Sequence, residues 1–194
     1  MTYRIVALLL PALGLLMTVT HAAAADAKKP ASVLDFQVKD IDGKAVDLDK
    51  FRGEVLLVVN TASKCGYTEQ YKGMEAVYEK YKEKGFAVLA FPANEFGKQE
   101  PDAEPKIKEF CTSTYNVTFP LFSKIVVKGD GIHPLYQFLT GTDTDPKFAG
   151  TVGWNFEKFL VNRKGEVVAR FKSADTPESD KVTRAIESAL AESK

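Results

Sequence analysis

Cysteine is nearly absent from this chain, with Cys65 and Cys111 the only two in 194 residues. They stand too far apart for a Cys-x-x-Cys redox pair or a zinc ribbon. Histidine is equally scarce, and one of the two, His21, lies in an apolar N-terminal stretch. That leaves His133, which precedes Pro134 and reads as a polar loop or helix-entry residue rather than a base, so neither a Cys–His hydrolase pair nor a histidine-rich metal site is indicated. Excess charge is missing too: 26 Lys and Arg balance 26 Asp and Glu. No basic stripe with interleaved aromatics occurs, so nucleic acid is not an expected partner. Glycine-rich phosphate loops, haem attachment motifs, internal repeats and low-complexity tracts are also lacking.

What is present begins with a leader. Arg4 supplies a small positive region, residues 5–19 form an apolar run broken by Pro11, and His21-Ala22-Ala23-Ala24-Ala25 offers small-residue cleavage sites. Together these read as a secretory signal peptide over residues 1–25 that is removed. A spanning helix needs about 20 apolar residues, and no positive cluster closes this run, so no stable membrane anchor is expected. Residues 26–194 then form a single domain, exported to the periplasm or secreted, and large enough to bury a core. Losing Arg4 from a balanced chain leaves one net negative charge. Export alone favours a structural Cys65–Cys111 disulfide; the position of Cys65 argues against it.

Cys65 falls where a buried strand gives way to a helix. The strand is residues 54–60, with the run Val55-Leu56-Leu57-Val58-Val59, and the helix starts near Thr68 with Tyr71, Met74, Tyr78 and Tyr81 on one stripe. A thiol there faces unpaired backbone N–H groups and the positive end of a helix dipole, both of which favour thiolate. Residues 33–49 predict a hairpin turning at Asp42-Gly43, and residues 86–91 a second buried strand. A helix follows over 104–115 with Pro105 in its first turn, then a short strand over 121–125 and a short helix over 134–139. Residues 156–162 and 166–172 predict a hairpin about Arg163-Lys164-Gly165, and Thr176-Pro177 opens a last helix to Ala191. This order fits an α/β, thioredoxin-like fold: a central mixed sheet flanked by helices, with an added N-terminal hairpin.

Three stretches, GEVLLVVNTASKCGYT, LAFPANEFGKQEP and GWNFEKFLVNRKG, together resemble the glutathione peroxidase family, in the family's order and at compatible distances. The resemblance runs from about Leu34 to the C-terminus. It implies a thiol peroxidase that reduces hydrogen peroxide and organic hydroperoxides to water or alcohols in oxidative-stress defence. It also implies a catalytic group of Cys65, Gln99, Trp154 and Asn155, with sulfur in place of selenium. Taken singly, these residues read as core packing, loop, aromatic anchor and turn. Lys64 either raises the local potential or is an exposed loop lysine.

Chemistry explains such a grouping. A free thiol, with a pKa of about 8.5, is roughly 3% thiolate at pH 7, so full ionisation gains only about 30-fold. Cleaving O–O also needs donors for the departing oxygen. The amides of Gln99 and Asn155 and the indole of Trp154 are neutral donors suited to that task. Attack by the Cys65 thiolate would leave a sulfenic acid.

Phe110-Cys111-Thr112, followed by Phe119-Pro120-Leu121-Phe122, resembles the block that carries the resolving cysteine of thioredoxin-dependent members. This implies Cys111 as the resolving thiol, reached by local unwinding of its helix, and a thioredoxin-type protein as reductant. The other reading is a packed thiol, with glutathione recycling Cys65 directly. No bound cofactor or metal is expected; the thiol reductant is a co-substrate. Ala93 stands where many non-animal members have cysteine, and Glu95 replaces a common glutamine. The segment from Leu139 to Trp154 is short beside tetrameric animal members, which implies a monomer. Two readings from other classes remain: an exported thioredoxin-like metal- or redox-partner-binding module without turnover, and a structural domain with a permanent disulfide.

Overall fold

The computed structural model describes Met1 and residues 29–192, so the leader expected over residues 1–25 lies almost wholly outside the described residues. Six strands and four α-helices are described: β1 (Gln37–Lys39), β2 (Ala45–Asp47), β3 (Val55–Thr61), α1 (Gln70–Tyr81), β4 (Phe86–Pro92), α2 (Glu104–Tyr115), α3 (Pro134–Thr140), β5 (Lys158–Val161), β6 (Val167–Phe171) and α4 (Asp180–Ala191). The main sheet runs β4-β3-β5-β6, with β3 parallel to β4 and antiparallel to β5, and β5 antiparallel to β6. The hairpin β1–β2 forms a small sheet of its own. This is the expected thioredoxin-like arrangement with an added N-terminal hairpin.

Every residue of β3 and β4 is buried, because helices or loops cover both faces of the sheet. The alternation of side chains along β3 divides the core. Val55, Leu57 and Val59 join α1, α2 and α4 in one apolar cluster. Leu56 and Val58 join α3 and the 3-10 turns that flank the hairpin in the other. Tyr71, Met74 and Tyr81 of the α1 stripe are buried as expected, and Gly85 ends the helical stretch at φ 83, where a side chain is strained.

Differences from the expected elements are local. The hairpin is shorter than residues 33–49 because 3-10 turns occupy Val33–Asp35 and Leu48–Phe51. Residues 121–125 are not a strand. Phe122 and Ile125 donate to Ala90 and Pro92 of β4, but only single bridges form, and the Lys124 amine turns to the carbonyls of Glu100 and Asp102. The last helix starts at Asp180 rather than Thr176, because Ser179 turns back, its N–H and hydroxyl both donating to the Thr176 carbonyl. Helix α1 likewise begins two residues after Thr68. None of the helices described is long and apolar enough to cross a membrane.

Candidate active site

Cys65 lies in the turn between β3 and α1, and hydrogen bonds of its own segment fix its place. Its N–H donates to Thr68 Oγ1 at 3.0 Å, the Thr68 hydroxyl donates to the Ala62 carbonyl at 2.9 Å, and the Thr68 N–H returns to the Cys65 carbonyl at 3.0 Å. The Tyr67 N–H then points at the sulfur, 3.4 Å from Sγ. With α1 beginning only at Gln70, the turn places this one amide on the sulfur ahead of the helix terminus. The sulfur is nearly buried, while Tyr67 beside it is exposed.

Two other segments converge on this turn. The loop after β4 bends through Gly97 and Lys98, both at positive φ, and delivers Gln99. The Gln99 carbonyl accepts the Lys64 N–H at 3.0 Å, which fixes the loop beside the residue preceding Cys65. The segment before β5 delivers Trp154 and Asn155, and Asn155 Nδ2 donates to Gln99 Oε1 at 2.9 Å. That bond occupies the Gln99 oxygen and leaves the Gln99 NH2 without a protein acceptor among the described residues, available to a departing oxygen. Asn155 is fully buried and its Oδ1 has no protein partner there. Trp154 is 40% exposed, leans on Phe96 with ring centroids 5.6 Å apart, and lines an open depression with Tyr67, Glu157 and Lys172.

The expected residues therefore meet by two direct links, Lys64 to Gln99 and Gln99 to Asn155, with Trp154 and Tyr67 sharing the open side. Sequence reasoning passed over the residue that makes this possible. Asn60, at the end of β3, donates Nδ2 to the Trp154 carbonyl at 3.0 Å and accepts the Glu157 N–H at Oδ1 at 3.2 Å. Its own carbonyl accepts the Phe156 N–H at 2.6 Å. Phe156 sits at φ 60, a strained backbone that these bonds hold. The available signal was a polar side chain ending a fully apolar strand.

Cys111 occupies a different setting. It is fully buried in α2, in the same apolar cluster as Cys65, and both thiols are free. Burial pushes its thiol from 9.0 up to about 11, the nearby Glu100 charge adds to that, and the Tyr71 hydroxyl against it pulls the other way. His133 starts α3 as expected, its Nδ1 accepting the Leu135 N–H at 3.2 Å. Ala93 is buried, and Glu95 accepts the Val127 N–H at 2.9 Å, a contact outside the Cys65 group. Among the described residues no group of three or more His, Cys, Asp or Glu could hold a metal ion.

Comparison with known proteins gives a consistent picture. The family described as "Glutathione peroxidase" matches residues 33–140. The chain is 51% identical over 146 residues to "Glutathione peroxidase-like peroxiredoxin gpx1" of Schizosaccharomyces pombe, covering 74% of this chain and 90% of that one. It is 46% identical over 179 residues to "Thioredoxin/glutathione peroxidase BtuE" of Escherichia coli, covering 82% and 98%. Among solved structures, "Crystal structure of T. cruzi GPX1" is similar at 34% identity and a TM-score of 0.67, covering 84% of this chain and 99% of that one.

Proposed function

The chain belongs to the glutathione peroxidase family, and from that membership we propose how its residues divide the work of a thiol peroxidase in oxidative-stress defence. Hydroperoxide is the substrate and a thiol is the reductant. Cys65 is the nucleophile: its sulfur attacks the terminal peroxide oxygen, the O–O bond breaks, and a sulfenic acid forms as water or alcohol leaves. The Gln99 amide and the Trp154 indole donate to the leaving oxygen as charge develops on it, with Asn155 holding Gln99 in its donating orientation. One observation carries this reading: three segments far apart in sequence meet around Cys65, with Gln99 bonded to Lys64 through its backbone and to Asn155 through its side chain.

Cys111 then resolves the intermediate. Its thiol attacks the Cys65 sulfenic acid, an S–S bond forms and water departs. In α2 this thiol is held protonated, so the helix must open for Cys111 to become a competent thiolate. A thioredoxin-type protein reduces the resulting disulfide, with glutathione a slower donor. The Escherichia coli relative, whose name joins thioredoxin to glutathione peroxidase, supports that choice. Residues 1–25 act as an export leader, and the mature chain works as a monomer outside the cytoplasm with a donor of that compartment. The carrier reading is not favoured, because the family relatives are peroxidases.

A steady-state comparison of the two donors against one peroxide, using the mature chain, tests this account. Turnover with thioredoxin and its reductase exceeding turnover with glutathione is the expected result. Equal rates would make Cys111 unnecessary, and absent turnover with both donors would refute the assignment of Cys65.

A further inference from the structure

Glu100 adjoins Gln99 in sequence, is fully buried, and has no part in the chemistry described above. Its Oε2 accepts two hydrogen bonds from Ser63, from the N–H at 2.9 Å and the hydroxyl at 3.0 Å. Its own N–H donates to Asn94 Oδ1 at 2.9 Å, and its carbonyl accepts the Lys124 amine at 3.0 Å. Its second oxygen, Oε1, is buried with no protein partner among the described residues. Burial raises the carboxyl above its usual range, against the two Ser63 bonds and the Lys124 charge, while Asp102 adds to the rise. Tyr71 of α1 and Cys111 of α2 lie close enough to feel its charge. Keeping a carboxyl group dry in this way is costly, and the two Ser63 bonds offset part of that cost.

What it holds is the nucleophile turn. Ser63 stands two residues before Cys65, and the Lys64 N–H between them donates to the Gln99 carbonyl. Three hydrogen bonds therefore join residues 63–64 to residues 99–100, with the nucleophile just beyond one end and the amide donor on the other. We propose that Glu100 is a positioning residue for peroxide reduction, locking the Cys65 turn to the Gln99 loop so that sulfur and amide engage the same peroxide. This rests on the roles given to Cys65 and Gln99 above. A buried carboxyl oxygen accepting two bonds from one residue forms a stiffer tie than a surface contact, since water does not compete for those bonds.

Two reactions of the same sulfur separate positioning from general loosening. Peroxide needs both the sulfur and the amide, whereas iodoacetamide needs only the sulfur. In a Cys111→Ser background only Cys65 can react, and its loss is followed by mass spectrometry after an acid quench. Glu100→Ala should slow oxidation by hydrogen peroxide about 10- to 100-fold, the cost of roughly an ångström of misplacement. Alkylation should stay within about threefold of the parent, since the Tyr67 N–H remains on the sulfur. Glu100→Gln, which keeps an acceptor oxygen for Ser63, should recover most of the peroxide rate. Unchanged oxidation in Glu100→Ala, or an equal fall in both reactions, would overturn the proposal. Should Glu100→Ala fail to fold, Ser63→Ala removes one of the three bonds. It should slow oxidation about threefold with alkylation unchanged, and equal effects on the two reactions would count against the tie. A parent protein whose Cys65 ignores peroxide would instead refute the functional reading itself.

Discussion

Cys65 and Cys111 belong to one apolar cluster, yet their backbones give them opposite characters. Cys65 sits in a turn whose next amides are free of helical bonding, and one of them, Tyr67 N–H, reaches the sulfur. Cys111 sits inside α2, where its neighbours' amides are committed to the helix, and burial raises the thiol despite the opposing Tyr71 hydroxyl. Being enclosed is common to both. What separates them is whether the surrounding backbone has N–H groups to spare and whether a peroxide can approach.

The sharpest way to break this contrast is Cys65→Ser. Peroxide turnover with any thiol donor should fall by about 10 000-fold or more, because the nucleophile is gone while the donors remain. A coupled assay following reductant consumption measures it, and substantial residual turnover would move the chemistry to Cys111. The second way is Cys111→Ser. Cys65 should still be oxidised by peroxide to a sulfenic acid, detected by dimedone labelling, but cycling with thioredoxin should stall after a single oxidation. Wild-type cycling would make Cys111 only a packed thiol.

A third test uses pH. Folding raises the Cys111 thiol from 9.0 to about 11, so the fold favours the protonated form. That stabilisation is complete below about pH 9 and is lost as pH rises through about 11. Urea unfolding of reduced protein should show wild type losing about 2–3 kcal/mol more than Cys111→Ser between those limits. Parallel losses in the two proteins would mean that the thiol is not so enclosed. A smaller effect is expected of Trp154→Phe, which keeps an aromatic ring beside Phe96 but removes the indole N–H together with part of the ring system. Oxidation of Cys65 by peroxide should slow about 10-fold, the worth of one neutral hydrogen bond. No change in the stopped-flow rate would make Trp154 a wall of the depression and nothing more.

Much of this arrangement was legible in the order of residues. Long apolar runs announced β3 and β4, and Pro105 with the residues after it set α2 within the bounds the structure has. Motif resemblance selected Gln99, Trp154 and Asn155, which residue type alone would have left as loop, aromatic anchor and turn. The structure brings Gln99 and Asn155 within hydrogen-bond distance and sets Trp154 beside the same opening. Residues 121–125 misled because β-branched and aromatic side chains suit a strand, whereas the ladder there depends on how the chain after Pro120 meets β4. Asn60 and Glu100 went unread for a related reason: one looks like a strand end and the other like surface charge. Their burial comes from residues far along the chain, which no local pattern reveals.

Sequence by itself determined the core strands, the two well-separated thiols and the family motifs, since these depend on side-chain chemistry and on spacing within a few residues. Only the tertiary structure decided how far each thiol is enclosed, and which polar side chains tie the three segments around Cys65 together. Those outcomes depend on contacts between segments dozens of residues apart. Packing, rather than local preference, fixes where each hydrogen-bond donor points.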